Sequence, residues 1–286
     1  MPSPLSSLPS PSALPVLVIE PGRTEKNYWR DLWHYRELFY FLAWRDILVR
    51  YKQTVIGIAW AVIRPLLTTV VFTFVFSRVA KLQAPGGVPY ALLVMAAMLP
   101  WQFFSTSLSE SSNSLISNSN LISKIYFPRL IVPAGSIITS FVDFLITLAL
   151  MAVLMLWYGF MPDWHLLFLP FYLALALGAS FGVGLWLCAL NVEYRDFRYI
   201  VPFIVQFGLY ISPVGFDSMI VPHKWHLLYC LNPMVGVIDG FRWSLLRGET
   251  TRDASGVFFS LVSVTILLVS GIWYFRKMER TFADVI

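Results

Sequence analysis

Few residues of this 286-residue chain have the type and spacing for covalent chemistry. The histidines are His34, His165, His223 and His226. His223 and His226 lie three apart and could share a helical face, but no third donor stands near them, so a zinc-type site lacks ligands. Cys188 and Cys230 show no Cys/His metal spacing, and they fall toward opposite sides of the expected bilayer, which argues against a disulfide. Residues 105–120 hold eight serines with no base or oxyanion arrangement beside them, and read as a polar helix end passing into a cytoplasmic loop. No GxxxxGK[ST] loop occurs, nor any Gly-Lys pair, so this chain carries no P-loop for nucleotide hydrolysis.

Two ionisable residues interrupt otherwise apolar runs: Arg64 and Asp143. An intramembrane charge is costly and tends to face protein or water. Arg64 could face a channel and contact polar cargo, or snorkel to the inner interface. Asp143 reads as the structural partner of a hydroxyl or basic group inside the helix bundle.

The elements that must position these residues follow from composition. Hydrophobic residues make up 57% of the chain and charged residues 13%, with a mean hydropathy of +0.67. Soluble domains carry roughly a quarter charged residues, so this chain could not cover a water-facing surface. It reads as an all-α integral membrane protein. The net charge of +5 is then an orientation signal rather than a nucleic-acid footprint, and no nucleic-acid partner is expected.

Residues 1–26 are rich in Pro and Ser and read as a disordered tail. Residues 27–52 mix aromatic and basic side chains at helical spacing, including Trp29, Trp33, Arg36, Arg50 and Lys52. Such a segment suits an amphipathic helix lying in the membrane interface, or one covering another protein surface. Residues 53–286 form the transmembrane domain, with spans expected at 53–77, 90–109, 134–157, 166–190, 200–214 and 254–275. The fifth is short and bracketed by Pro202 and Pro213. With both termini in the cytoplasm, the inner segments hold fourteen Lys and Arg against six outside. Between the last two spans, two apolar patches predict short helices at about 217–248. They would dip back toward the outer leaflet or pack on a neighbour. Trp225 and Tyr229 belong to the first, Met234 and Phe241 to the second.

Gly178 and Gly182 make a GxxxG pair that would let two helix backbones approach closely, within one chain or between copies. Trp60, Phe72 and Phe76 on the first span, and Phe203, Phe207 and Tyr210 on the fifth, form aromatic stripes. Such stripes could face lipid, pack in a core, or line a pore where they stack on sugar rings.

Several strings in order resemble the membrane subunits of type-2 ABC polysaccharide exporters, the O-antigen (Wzm-type) permeases and their capsule and teichoic-acid relatives. They are RYKQTVIGIAW at 50–60 with Pro65, LPWQFF at 99–104, NLISKIYFPR at 120–129, YRDF at 194–197, SPV at 212–214, and NPM at 232–234 with Arg242. The resemblance covers about residues 45–248. It implies six transmembrane helices after an interfacial helix, and a homodimer with two separate ATPase subunits. ATP and Mg would be bound by those partners and no cofactor by this chain. A coupling helix at about 118–128 would dock into the ATPase through Asn120, Leu121, Lys124, Tyr126 and Phe127. A channel would run between the two copies, lined by Trp60, Phe72, Phe76, Phe203, Phe207 and Tyr210, with the short helices at 217–248 as an outer gate. The cargo implied is a polysaccharide on a polyprenyl pyrophosphate carrier, crossing the bacterial inner membrane to the periplasm. The tail and Arg64 belong to no motif of the family.

Two other functions fit less of the sequence. A same-family exporter of a smaller lipid or drug would share every string above. A membrane enzyme acting on lipid-linked sugars would need paired acids at one interface, where only Glu110, Glu193 and Asp196 are available on the inner side.

Overall fold

The computed structural model of the protein describes residues 28–52, 57–250 and 254–282. The expected tail at 1–26 lies outside them, as do Gln53, Thr54, Val55 and Ile56 of the first resembling string. The described residues are helical throughout their ordered elements, with no strand among them.

The N-terminal segment forms α1 (Tyr28–His34) and α2 (Arg36–Lys52), separated only at Tyr35, where the backbone bonds Tyr35 N to Asp31 O and Phe39 N to Tyr35 O continue the helical path. One face, with Leu42 and Ala43 buried, packs along a later spanning helix. The opposite face exposes Trp29, Trp33, Tyr40 and Trp44, with the Arg36 guanidinium 5.6 Å from the Trp33 ring centroid. That division of faces is what an interfacial helix requires.

Among the described residues, five helical stretches are long and apolar enough to cross a membrane: Ala59–Val79, Tyr90–Ser117, Ile131–Trp157, Trp164–Glu193 and Ala254–Met278. The first is α3 (Gly57–Thr73) continued by a π-helical turn (Phe74–Val79), and it carries Pro65 inside. Next come α4 (Tyr90–Ser117), a four-residue α5 (Ser119–Ile122), α6 (Ile131–Trp157) and α7 (Leu169–Glu193). The fifth expected span is represented by α8 (Phe197–Ile211), whose fifteen residues reach only about 22 Å. The short helices α9 (His223–Tyr229) and α10 (Pro233–Leu245) precede α11 (Ala254–Met278).

α4 outruns the expected span because the serine stretch stays helical. Ser105 and Thr106 donate to Gln102 O, Ser109 to Ser105 O, and Ser112 to Ser109 O. Each hydroxyl thereby spends its donor on its own helix. Ser107, Ser111, Ser112 and Ser114 are buried along this helix end, which passes into the loop at Asn118 as expected. Their small size lets α7 approach; a β-carbon on Gly184 would lie 2.8 Å from Ser111 Oγ.

The GxxxG pair finds its neighbour within the same chain. A β-carbon on Gly182 would lie 2.7 Å from the Leu267 carbonyl carbon, and one on Gly178 2.8 Å from Val264 Cγ1. α7 therefore lies against α11 at backbone distance and against α4 on its other side. Two apolar cores result. The larger joins α4, α6, α7 and α10; the smaller gathers Tyr28, Leu42, Phe127, Leu130, Phe275 and Phe282 at the other end of the bundle.

Candidate functional site

The loop between α4 and α6 is built as an exposed tip on a buried root. Asn120 and Lys124 are exposed, Leu121 is half-buried, and Ile125 and Tyr126 are 52% and 50% exposed. Phe127, in contrast, is 4% exposed and packs with Leu130, Ile131 and the C-terminal Phe282 in the smaller core. It cannot serve as a docking side chain in this conformation, so that expectation is corrected. Pro128 follows immediately and disfavours helical backbone at Phe127, and the ring joins Phe275 and Phe282 while Tyr126 stays outside. Ile125, absent from the expected set, takes its place on the surface.

The root is also tied by polar groups. Arg129 donates its backbone N–H to Glu279 Oε1 at 2.7 Å and its guanidinium to Glu279 O. Tyr28 lies beside the same carboxylate, under the Arg276 guanidinium 4.5 Å from its ring. Burial raises the Glu279 carboxyl above its ordinary value, against the lowering effect of the Arg129 N–H. On the other flank Arg45 donates to Asn118 Oδ1 at 2.8 Å, joining α2 to the base of the loop. A push on the tip therefore reaches α1, α2 and the end of α11.

A second assembly lies between α2, α3, α4 and α6. Arg50 Nη2 stands 2.8 Å from Asp143 Oδ2, and Arg50 Nη1 is 3.3 Å from Glu110 Oε1. The Tyr51 hydroxyl donates to Asp143 Oδ1. Burial, and then the neighbouring carboxylate, push the Tyr51 phenol above its ordinary value, so it remains a donor. Asp143 thus meets both the basic group and the hydroxyl that a carboxylate inside a bundle requires. Arg50, Tyr51 and Asp143, with Trp60, Arg64 and Gln102, line a cleft of about 160 Å³. Lys52 is exposed.

The aromatic stripes divide. On α8, Phe203, Phe207 and Tyr210 are each more than half exposed, with Phe203 and Phe207 stacked at 5.6 Å. Trp60 is exposed as well, beside Leu67, Val70 and Phe74 on α3. Phe72 and Phe76 instead turn toward their own chain. Phe72 rests on the larger core, and the Phe76 ring occupies the space at Gly215, where a β-carbon would lie 2.1 Å from its Cε2. The absent side chain of Gly215 draws Phe76 inward, away from the bare face of α3.

The outer short helices also divide. Trp225 is exposed and Tyr229 half-buried on α9. Met234 and Phe241 on α10 are buried among α4, α7 and α11, and in this chain they are core rather than gate surface. Gly236 and Gly240 explain this: β-carbons there would lie 2.5 Å from Ser260 Oγ and 2.1 Å from Tyr172 Cδ1. The two glycines let α10 sink into the bundle. Arg242 is buried too. It donates to Leu93 O at 3.2 Å, Phe216 O at 2.8 Å and Val214 O at 2.9 Å, holding the turn after α8 against the start of α4. Asn232 caps α10 by accepting from Met234 N and donates to Ser212 Oγ. The SPV and NPM strings are thus parts of one junction, a relation their sequence separation does not reveal.

Comparisons with known proteins agree with this architecture. The ABC-2 type transporter family matches residues 37–246. The chain is 27% identical over 256 residues to the O-antigen export system permease protein RfbA of Klebsiella pneumoniae, a match spanning 87% of this chain and 95% of that protein. A protein of the same description from Myxococcus xanthus is 26% identical over 259 residues, spanning 90% and 98%. The capsule polysaccharide export inner-membrane protein CtrC of Neisseria meningitidis is 27% identical over 239 residues, spanning 80% and 86%.

Proposed function

Because this chain belongs to the ABC-2 type transporter family, we propose that it is the membrane subunit of an ATP-driven exporter of polyprenyl-pyrophosphate-linked polysaccharide, with O-antigen as cargo. The observation that carries this reading is the similarity to O-antigen export permeases along nearly the whole length of both chains. The similarity to a capsule polysaccharide export protein supports the same class of cargo and keeps capsule export as a second reading.

The mechanism follows from what the chain has and lacks. With no P-loop in its sequence, ATP and Mg are bound by a separate subunit, two copies serving a homodimer of this chain. The tip formed by Asn120, Lys124, Ile125 and Tyr126 docks into that ATPase, and the tied root passes its movement to the bundle. The bare faces of α3 and α8 meet their copies across a channel, where Trp60, Phe203, Phe207 and Tyr210 offer aromatic surface to sugar rings. α8 and the turn to Val214 make the sixth, shortened crossing, which leaves both termini in the cytoplasm of a bacterial inner membrane. The excess of inner basic residues supports that orientation. α9, with Trp225 and Tyr229, forms the outer gate over the channel.

The test is glycan export by the chain co-expressed with its ATPase partner in a strain lacking an O-antigen permease. Ile125→Ala with Tyr126→Ala should abolish surface polysaccharide while the membrane level of the protein stays constant. Normal surface polysaccharide from that double variant would sink the proposal.

A further inference from the structure

Arg64 stands alone among the charged groups of the cleft. Arg50 is engaged by Asp143 and Glu110, and Asp143 by Arg50 and Tyr51, so these charges compensate one another. Arg64 has no ion pair among the described residues, although it lies about 10 Å along α3 from Gly57 in a helix apolar enough to span a bilayer. A guanidinium in that position demands a counter-charge. The remaining polar lining supplies no counter-charge to Arg64. Thr106 and Thr147 spend their hydroxyls on carbonyls of their own helices. Gln102, in contrast, has a buried amide oxygen without a partner among the described residues. Trp60 supplies an apolar wall.

We propose that this cleft binds a phosphate-bearing head group, with the Arg64 guanidinium as its principal ligand. The planar fork of Arg matches two phosphate oxygens, and a phosphate ester is the anion met at the depth where an interfacial helix joins a spanning one. The Arg50–Asp143–Tyr51 unit is the positioning wall: it neutralises the one carboxylate lining the cleft, which would otherwise repel an anion. The site rests on the exporter reading only in placing the cleft at the inner membrane surface.

The experiment uses the purified full chain in nanodiscs of zwitterionic lipid, with binding read by calorimetry. Farnesyl diphosphate, inorganic diphosphate, and discs doped with phosphatidylglycerol are the three probes. At least one should bind wild type and lose tenfold or more in affinity in Arg64→Gln. Arg64→Lys should lose several-fold, and Arg36→Gln on the outer face of α2 should match wild type. Binding of farnesyl but not inorganic diphosphate assigns the site to a lipid head group; equal binding of both assigns it to free phosphate; a response to phosphatidylglycerol alone assigns it to bulk lipid. Each of these supports the shared chemistry. No binding by any probe, or equal affinity in wild type and both Arg64 variants, overturns it. Glycan export is scored in parallel. Normal export with Arg64-independent binding removes the cleft site and leaves the exporter reading standing, and Arg64-dependent binding without export does the reverse.

Discussion

The loop between α4 and α6 and the stripe of α8 both present aromatic side chains outward, yet they are built in opposite ways. Tyr126 sits on a root of buried Ile122, Phe127 and Leu130, fastened by Arg129 to Glu279 and by Asn118 to Arg45. Phe203, Phe207 and Tyr210 sit on a helix with a single buried residue, Val201. A rooted tip can transmit force, because displacing it displaces the core beneath it. An unrooted stripe has its fixed position supplied by whatever covers it, whether a second copy, lipid or cargo. One region is finished within the chain; the other is left uncovered by it.

The largest expected effect lies at the root. Phe127→Ala should cost about 3–5 kcal/mol by leaving a cavity in the smaller core, read as a lowered melting temperature of the detergent-purified chain. A melt unchanged from wild type would mean that the tip is not rooted and would erase the contrast. Next is the close contact of α7 with α11. Gly182→Val meets the Leu267 backbone and should cost about 1–3 kcal/mol. A melting shift of that size that persists in a monomeric preparation would sharpen the view that this glycine serves packing within one chain. The smallest stability effects belong to the exposed groups. Ile125→Ala and Phe207→Ala should each shift stability by no more than about 0.5 kcal/mol. They should separate in function: ATPase stimulation by the assembled complex falls for Ile125→Ala, whereas dimer cross-linking or glycan export falls for Phe207→Ala. If both variants failed in the same assay, the two regions would not be doing different jobs.

Much of the fold was legible because it rests on local periodicity. Runs such as 144–157 are apolar but for Thr147, and a bilayer turns such a run into a helix with few alternatives. The serine stretch was legible as a helix end but its burial was not: several of its hydroxyls bond to carbonyls of their own helix, and their small volume serves packing. The candidate site was legible in part. Asn120, Lys124 and Tyr126 appear at the surface as expected, while Phe127, one residue further, is buried. No property of an isolated Tyr-Phe pair says which ring goes in; the decision belongs to Phe275 and Phe282, more than a hundred residues away.

The sequence alone determined that this is a membrane-embedded helical chain without a nucleotide-binding loop, because hydropathy and motif are properties of consecutive residues. Only the tertiary structure decided which face of each helix is spent on the chain itself. It set Met234, Phe241 and Arg242 inside the bundle, turned Phe76 toward Gly215, and left Arg64 facing a cleft without a counter-charge. A helix offers all its sides equally until neighbours cover some of them, and those neighbours come from distant parts of the chain.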